Sequence, residues 1–110
     1  MATYSPFTRQ RKETFTNVSG SSLVVYTTTK NAIISATMID GNTSNLQEVF
    51  FYYNNSPNLD RKNILLWGEE NSMVGSGYVN GCAFVPSGTQ IRISSSGNFM
   101  SFILNIFEID

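Results

Sequence analysis

Few residues of this chain have side chains suited to catalysis. Its 110 residues include no histidine, which removes the commonest general base and the commonest metal ligand. The single cysteine, Cys82, allows neither an intrachain disulfide nor a zinc site built on cysteine pairs. In the run Gly81-Cys82-Ala83-Phe84 we expect this cysteine to be a small buried hydrophobic residue.

The acidic residues also give little sign of an active site. Glu69 and Glu70 are adjacent, and neighbouring residues of a strand point to opposite faces, so we expect them in a solvated loop. A glycosidase needs two carboxylates that face each other across a cleft. Asp40, Asn42 and Asn45 carry oxygen ligands suited to calcium, but they lack the carboxylate density of a strong site. We therefore predict a protein that is not an enzyme and that uses no cofactor or metal.

Three aromatic residues leave one binding function open. Trp67, with Tyr52 and Tyr53, would suit a platform on which sugar rings stack. Aromatic side chains in proteins of this size are more often part of the core. A carbohydrate-binding domain therefore remains an alternative.

Charge and composition narrow the range of partners. The net charge of -1 gives no general attraction to nucleic acid or to a membrane surface. No apolar run approaches the length of a membrane span, and residues 1–7 lack the pattern of a signal peptide. Charged residues make up 14% of the chain, against about 25% in an average protein. Such a surface suits a β protein that is partly covered by neighbours, and we expect no nucleic acid, membrane or small-molecule substrate as partner.

The order of apolar and turn-forming residues predicts an all-β fold. Runs with strand character recur every 8 to 12 residues or so, with turn signals between them, as in sandwiches and small barrels. We predict an antiparallel β-sandwich of jelly-roll-like order with about eight strands and an extended N-terminal arm. Residues 1–20 would form the arm and a lead-in strand, and residues 21–110 the sandwich domain. Turns are expected at 19–21, 80–81, 86–88 and 95–98.

The last strand is apolar on both faces. Such a strand is usually central in its sheet, or one face meets another layer or another subunit. Alternation places Met100, Phe102, Leu104 and Ile106 on the face expected in the core. The opposite face supplies the candidates for a subunit interface: Phe99, Ile103, Phe107 and Ile109.

Residues 1–12 combine aromatic and basic side chains. Tyr4 and Phe7 have no periodic partners, and Arg9, Arg11 and Lys12 form the densest basic cluster of the chain. One interpretation is a frayed terminus. The other is an attachment arm that lays its aromatic residues on a neighbour and its basic residues on an acidic surface.

Several turn-and-strand patterns together resemble the small β-sandwich virion proteins of tailed bacteriophages. They are the run Ser-Leu-Val-Val-Tyr-Thr at 22–27, the strand at 32–36, the polar loop at 41–44, the hairpin segment at 85–94 and the ending Phe107-Glu108-Ile109. The resemblance covers about residues 20–110. The chain departs from it at Thr89, where an acid is common, and at residues 28–31, which replace the usual Pro-Ala-Gly turn.

The resemblance implies a structural role. Such proteins serve as capsid decoration (cement) proteins or as parts of tails, and they are typically trimers. We therefore expect a homotrimer that binds the major capsid protein on the outer surface of a virion and stabilises the shell, after synthesis in the host cytoplasm. Residues 1–20 would reach onto the shell or a neighbouring subunit. A tail component (fibre, adaptor or tip) is the alternative within the same resemblance.

Overall fold

The chain forms one antiparallel β-sheet of seven strands over the residues that the structure describes, and no helix occurs among them. The computed structural model describes residues 7–41, 47–57, 59, 61–68 and 79–109, and it describes side chains for all of these except 7–9, 40–41, 68, 79–80 and 96–99. The predicted all-β class is confirmed, with seven strands in this part of the chain against about eight expected. None of these residues belongs to a helix with the length and apolar character needed to cross a membrane.

Two strands are much longer than the others and pair with each other. The strands are β1 (Phe7–Thr27), β2 (Ala32–Gly41), β3 (Gln47–Tyr52), β4 (Lys62–Gly68), β5 (Val79–Asn80), β6 (Cys82–Val85) and β7 (Gln90–Ile109). β1 and β7 pair antiparallel from Phe7 opposite Ile109 to Thr27 opposite Gln90. Residues 7–12, which were predicted to belong to an extended arm, are therefore the first part of a paired strand.

Two segments that were predicted to be turns instead form a bend in the two-stranded ribbon of β1 and β7. The turns expected at 19–21 and 95–98 are wrong, because both segments lie inside continuous strands. Val18 pairs with Met100 and Gly20 with Ser95, so four residues of β7 (96–99) but only one of β1 (residue 19) separate these two pairs. Asn17 and Ser22 adopt left-handed backbone conformations, with φ of 52° and 51°. The turn-forming residues thus produce bulges, which bend a strand without reversing it.

β7 pairs with β1 along one of its edges, and at this bend its partner along the other edge changes. Residues 91–95 pair with β3, whereas residues 100–108 pair with β2. We call β6, β2, residues 100–109 of β7 and residues 7–18 of β1 half-sheet A. Half-sheet B comprises β5, β4, β3, residues 90–95 of β7 and residues 20–27 of β1.

A short crossing segment nearly closes the sheet. β5 pairs with β4 and the next strand, β6, pairs with β2, so the chain passes from half-sheet B to half-sheet A at Gly81. The hairpin turn expected at 80–81 is therefore wrong. The Gly81 N–H donates to the carbonyl of Leu65 at 2.8 Å, and a Cβ at Gly81 would lie 3.0 Å from the carbonyl oxygen of Ile64. A glycine at this point permits the close approach of the two backbones.

The core lies between the inward faces of the two half-sheets. Phe102 is fully buried and its ring stacks on Phe15 of β1, with ring centroids 4.9 Å apart. The face of β7 that was predicted to be buried is buried, which confirms the alternation read from the sequence. Core residues of half-sheet A are Ala32, Ile34, Ala36, Val85, Met100, Phe102, Leu104 and Ile106, and those of half-sheet B are Val49, Phe51, Leu65, Leu66, Ile91 and Ile93.

The loop after β1 and the loop before β7 are hydrogen-bonded to each other. The Thr28 N–H donates to the Thr89 carbonyl at 2.9 Å, and the Gly88 N–H donates to the Thr28 carbonyl at 2.8 Å. The Thr28 hydroxyl donates to the Pro86 carbonyl at 2.8 Å. The predicted turn at 86–88 is present, and Gly88 has the positive φ, 90°, that such a turn requires.

We expect Gly88→Ala to lower the free energy of unfolding by about 1–2 kcal/mol. A Cβ at Gly88 would meet no atom within 4 Å, so the cost is the backbone strain of a positive φ at a non-glycine residue. Chemical denaturation of both proteins measures it, and Thr27→Ala, at an exposed position at the end of β1, serves as the control. A loss no larger than that of the control would contradict the strained turn.

Candidate interaction surfaces

The predicted attachment residues of the N-terminal segment have separate positions. Tyr4 lies outside the described residues. Phe7 and Arg9 belong to the first turn-free stretch of β1, opposite Ile109 and Glu108 of β7. Lys12 is exposed and lies opposite Asn105, on the face of half-sheet A that is turned away from the core. Arg11 faces the other way, so the basic cluster does not form one exposed patch.

Arg11 contacts a buried carboxylate of its own chain. Its Nη1 atom lies 3.8 Å from Oε2 of Glu108, a residue that is 2% exposed, and its Nη2 atom lies 4.0 Å from Oε1 of Glu13. The Thr29 hydroxyl donates to the same Glu108 oxygen at 3.3 Å. The other oxygen, Oε1, has no hydrogen-bond partner in the described part of the chain. Glu108 belongs to the ending Phe107-Glu108-Ile109, but no role was predicted for it from the sequence.

Tyr26 completes this cluster from the other end of β1. Burial raises the pKa of Tyr26 above its usual range, and the nearby Arg11 guanidinium acts in the opposite direction. No group of the described residues lies in hydrogen-bond geometry with the phenol oxygen. A buried hydroxyl without a hydrogen-bond partner lowers the free energy of unfolding. Packing of the Tyr26 ring therefore stabilises this side chain more than its hydroxyl does.

We expect Tyr26→Phe to be as stable as the native protein near pH 7, or more stable by up to about 1 kcal/mol, because it removes an unsatisfied hydroxyl. The unfolded chain releases the phenol proton near pH 10, before the folded protein does. Below about pH 10 the ionisation of Tyr26 therefore does not change the free energy of unfolding. As the pH rises from there through the raised pKa of the folded state, the native protein loses stability that the variant keeps. Unfolding free energies measured at several alkaline pH values should fall less steeply in the variant. An identical alkaline slope in both proteins would contradict the buried phenol.

The outer face of half-sheet A carries the predicted interface residues. Ile33 pairs with Phe84 on one side and with Phe107 on the other, which places the three side chains in one row across β6, β2 and β7. Phe84 is 59% exposed, while Ile33 and Phe107 are half-buried. Ile103, opposite Thr37 of β2, lies four residues before Phe107 in β7, and Ile109 is also half-buried, whereas the Phe99 side chain is not described. This apolar row, which we call the A-face row, was partly predicted from β7, but Phe84 and Ile33 were missed.

Cys82 lies on the same outer face and is exposed. The prediction of a buried cysteine is therefore wrong. In β6 the inward positions are Ala83 and Val85, so alternation turns Cys82 and Phe84 outward. The apolar residues beside Cys82 in the sequence do not indicate which residues of β6 point toward the core.

The outer face of half-sheet B carries aromatic and charged side chains together. Glu48 is 4% exposed and receives a hydrogen bond from Lys62 Nζ, which also lies 4.2 Å from the centre of the Phe50 ring. Trp67 is paired with Glu48 and Tyr52 with Lys62, so both aromatic residues lie on this outer face. Tyr53 instead packs edge-to-face on the core residue Phe51. The three aromatic residues expected to form one sugar platform are therefore divided between two faces.

The free edge of β1 is poorly suited to pairing with another strand. Within the described residues β1 pairs only with β7, and its register is interrupted five times between Phe7 and Tyr26. Exposed edges in natural proteins are commonly protected by bulges and by charged residues, and Arg9, Arg11 and Lys12 lie on this edge strand. The faces of the sheet are thus better candidates for contact than its edge.

The remaining candidate groups of the sequence have no described geometry. Glu69, Glu70, Asn42 and Asn45 lie outside the described residues, and the Asp40 side chain is not described. Among the residues that are described, no three histidine, cysteine, aspartate or glutamate side chains come close enough to hold a metal ion.

No known family model, no curated protein and no solved structure matches this chain.

Proposed function

We propose that the protein is a non-enzymatic structural component that binds other protein chains through the outer face of half-sheet A. The observation that carries this proposal is the A-face row, in which Phe84 is more than half exposed beside Ile33 and Phe107. Contiguous apolar side chains on a sheet face are typical of interaction sites. Lys12 and Gln10 border this row on β1 and would add polar contacts at its rim.

Together with the sequence resemblance, this surface supports the role of a capsid decoration protein. In this role the protein is a homotrimer on the outer surface of a virion, and its partners are its own copies and the major capsid protein. Binding only to the assembled shell would stabilise the shell by mass action. Residues 1–6, including Tyr4, would contact the shell as a short arm, because the arm residues from Phe7 onward belong to the sheet.

We infer that half-sheets A and B are the two layers of a jelly-roll-like sandwich. Their inward side chains form one cluster, and the shortest dimension of the molecule is 19 Å. Two stacked sheets lie about 10 Å apart, so two layers with their outer side chains account for this thickness.

The test combines solution mass with capsid binding. Native protein and Phe84→Gln are compared by sedimentation alone and with capsids stripped of decoration. We expect native trimers that pellet with capsids and raise their resistance to heat, and a variant that loses trimer formation, capsid binding or both. Leu59→Gln is the matched control, because Leu59 is 88% exposed and lies in the loop between β3 and β4.

Two outcomes would contradict parts of the proposal. A native monomer that ignores capsids would reject the decoration role, and copurification with tails in a fixed multiple of three would favour a tail component. Equal behaviour of Phe84→Gln and the native protein would remove the A-face row from the binding surface.

A further inference from the structure

β6 is the edge strand of half-sheet A on the side opposite β1. Among the described strands it pairs only with β2, and it does so without a bulge, from Ala32 opposite Val85 to Ser35 opposite Cys82. Its four residues, Cys-Ala-Phe-Val, carry no charge. Natural sheet edges are protected by bulges, charges, proline or a very short length. Within β6 only the short length gives such protection, whereas β1 has both bulges and charges.

The hydrogen bonds of β2 show which backbone groups of β6 face the open edge. The Ile109 N–H donates to the Asn31 carbonyl at 2.8 Å, so this opposite pair is a hydrogen-bonded one. In an antiparallel ladder every second pair is hydrogen-bonded, so the N–H and carbonyl of Ile33 also point to β7. The backbone groups of its neighbours, Ala32 and Ile34, therefore point to β6.

The same alternation continues into β6. The residues opposite Ala32 and Ile34 are Val85 and Ala83, and their backbone groups are used in the pairing with β2. Cys82 and Phe84 therefore direct their N–H and carbonyl groups away from β2. Both residues are exposed, Phe84 to 59%. The open edge thus presents two N–H groups and two carbonyls, which are obligatory hydrogen-bonding groups.

The open edge is limited to the length of β6. Before it, the Gly81 N–H donates to the Leu65 carbonyl of β4 at 2.8 Å. After it, Pro86 has no N–H, and its carbonyl accepts the hydroxyls of Thr28 and Thr89 at 2.8 Å and 2.7 Å. A longer strand would therefore find no further backbone partners on this edge. The strand that fits it is as short as β6 itself.

We propose that two copies of this chain associate through β6, which pairs antiparallel with β6 of the second copy about a two-fold axis. Ala83 lies on the axis, opposite Ala83 of the second copy, and Cys82 of each copy lies opposite Phe84 of the other. The two N–H groups and two carbonyls of each edge are then all used, in four hydrogen bonds. The two half-sheets A become one continuous sheet, as in other contacts made by adding a strand to a sheet edge.

Other symmetric registers use the edge less well. An axis at Phe84 would place Cys82 opposite Pro86, which lacks an N–H. An axis at Cys82 would place Phe84 opposite Asn80, which pairs with β4. The proposed register also brings no charged side chain of β6 against another, because the strand has none.

This contact is independent of the proposed binding through the A-face row, because it is formed by backbone groups at an edge. A four-residue edge buries far less than the roughly 1,000 Å² of a stable complex, so the pairing is weak and depends on protein concentration.

The first test uses the native protein at low and high concentration and measures the exchange of its amide hydrogens by NMR. At low concentration the amides of Ala83 and Val85 should be protected, and those of Cys82 and Phe84 should exchange rapidly. At high concentration exchange of the latter two should slow, by about tenfold when about nine in ten chains are paired. Exchange that is independent of concentration, or protection of both edge amides already at low concentration, would overturn the proposal.

The second test removes one edge donor. Cys82→Pro deletes an N–H that is not used in the pairing with β2, at the first residue of an edge strand, where proline is tolerated. Cys82→Ser is the matched control, because it removes the thiol and keeps the N–H. In sedimentation over a range of concentrations, the native protein and the control should double their mass, whether the starting species is a monomer or a trimer. Cys82→Pro should not.

The same measurement separates this contact from the A-face row. Phe84→Gln keeps its backbone N–H and should still double its mass if the pairing is made by the edge. Doubling that is lost in Phe84→Gln but kept in Cys82→Pro would overturn the edge contact and leave the A-face row as the binding surface. Equal doubling in the native protein and Cys82→Pro, or none in either, would also overturn it.

Discussion

Phe102→Ala should lower the free energy of unfolding by about 3–5 kcal/mol. Phe102 is fully buried at the centre of half-sheet A, and its ring stacks on Phe15, which anchors residues 7–18 of β1 to β7. Removing the ring deletes apolar burial and leaves a cavity that the surrounding strands cannot fill without moving. Urea denaturation followed by tryptophan fluorescence measures the change, because Trp67 lies in half-sheet B and reports on the whole sheet.

The matched control is Phe84→Ala, which removes the same side chain from an exposed position of the same half-sheet. It should change the unfolding free energy by less than about 1 kcal/mol in the monomer. If the two variants lost similar stability, the assignment of inner and outer faces in half-sheet A would be reversed.

Arg11→Met should cost about 2 kcal/mol, although Arg11 lies in the segment first expected to be a free arm. The substitution leaves Glu108 buried without its cationic partner, and an uncompensated buried carboxylate is strongly unfavourable. The figure is below the usual range for buried pairs because the Arg11 side chain is 33% exposed and its charge is partly screened by solvent.

Adding Glu108→Gln to Arg11→Met should recover part of this loss, because the double variant has no buried charge left to compensate. The two substitutions and their combination form a double-mutant cycle, measured by urea denaturation at constant ionic strength. Lys12→Met, at the adjacent exposed position, should stay within about 0.5 kcal/mol of the native protein. A native-like Arg11→Met would show that the ion pair of Arg11 with Glu108 does not stabilise the fold.

Period-2 alternation was the most reliable guide to this fold. It identified the buried face of the last strand from Met100 to Ile106, because a strand with one core face places every second side chain in the core. The wrong prediction for Cys82 was made from its residue type instead, since a four-residue strand gives too short a pattern to fix which side faces inward.

Turn signals were less reliable because they are local. Gly20 and the segment 95–98 have the composition of reversals, but each lies opposite the other in a long ribbon, so the same residues form bulges. Gly81 follows an asparagine, as in tight hairpins, yet it joins β5, which pairs with β4, to β6, which pairs with β2. Whether a glycine reverses a strand or bends it depends on a partner that is distant in sequence.

The interaction surfaces were harder to predict than the core. Ile33 and Phe84 were not predicted as surface residues, and they become neighbours only when β6 is paired with β2. Likewise, Phe84 and Phe107 are far apart in the chain and meet only through Ile33. Surfaces of this kind depend on register, which local composition does not determine.

The long ribbon of β1 and β7 has a consequence for the order of folding. Its strands pair residues from opposite ends of the described chain, beginning with Phe7 and Ile109, and β7 also supplies the pairing partner of both β2 and β3. A nascent chain therefore cannot complete either half-sheet until β7 has been synthesised. Topologies dominated by such distant pairings fold slowly, on a timescale of milliseconds to seconds. During that interval the apolar strands of the unfinished chain are exposed, and the risk of aggregation is highest before β7 has paired.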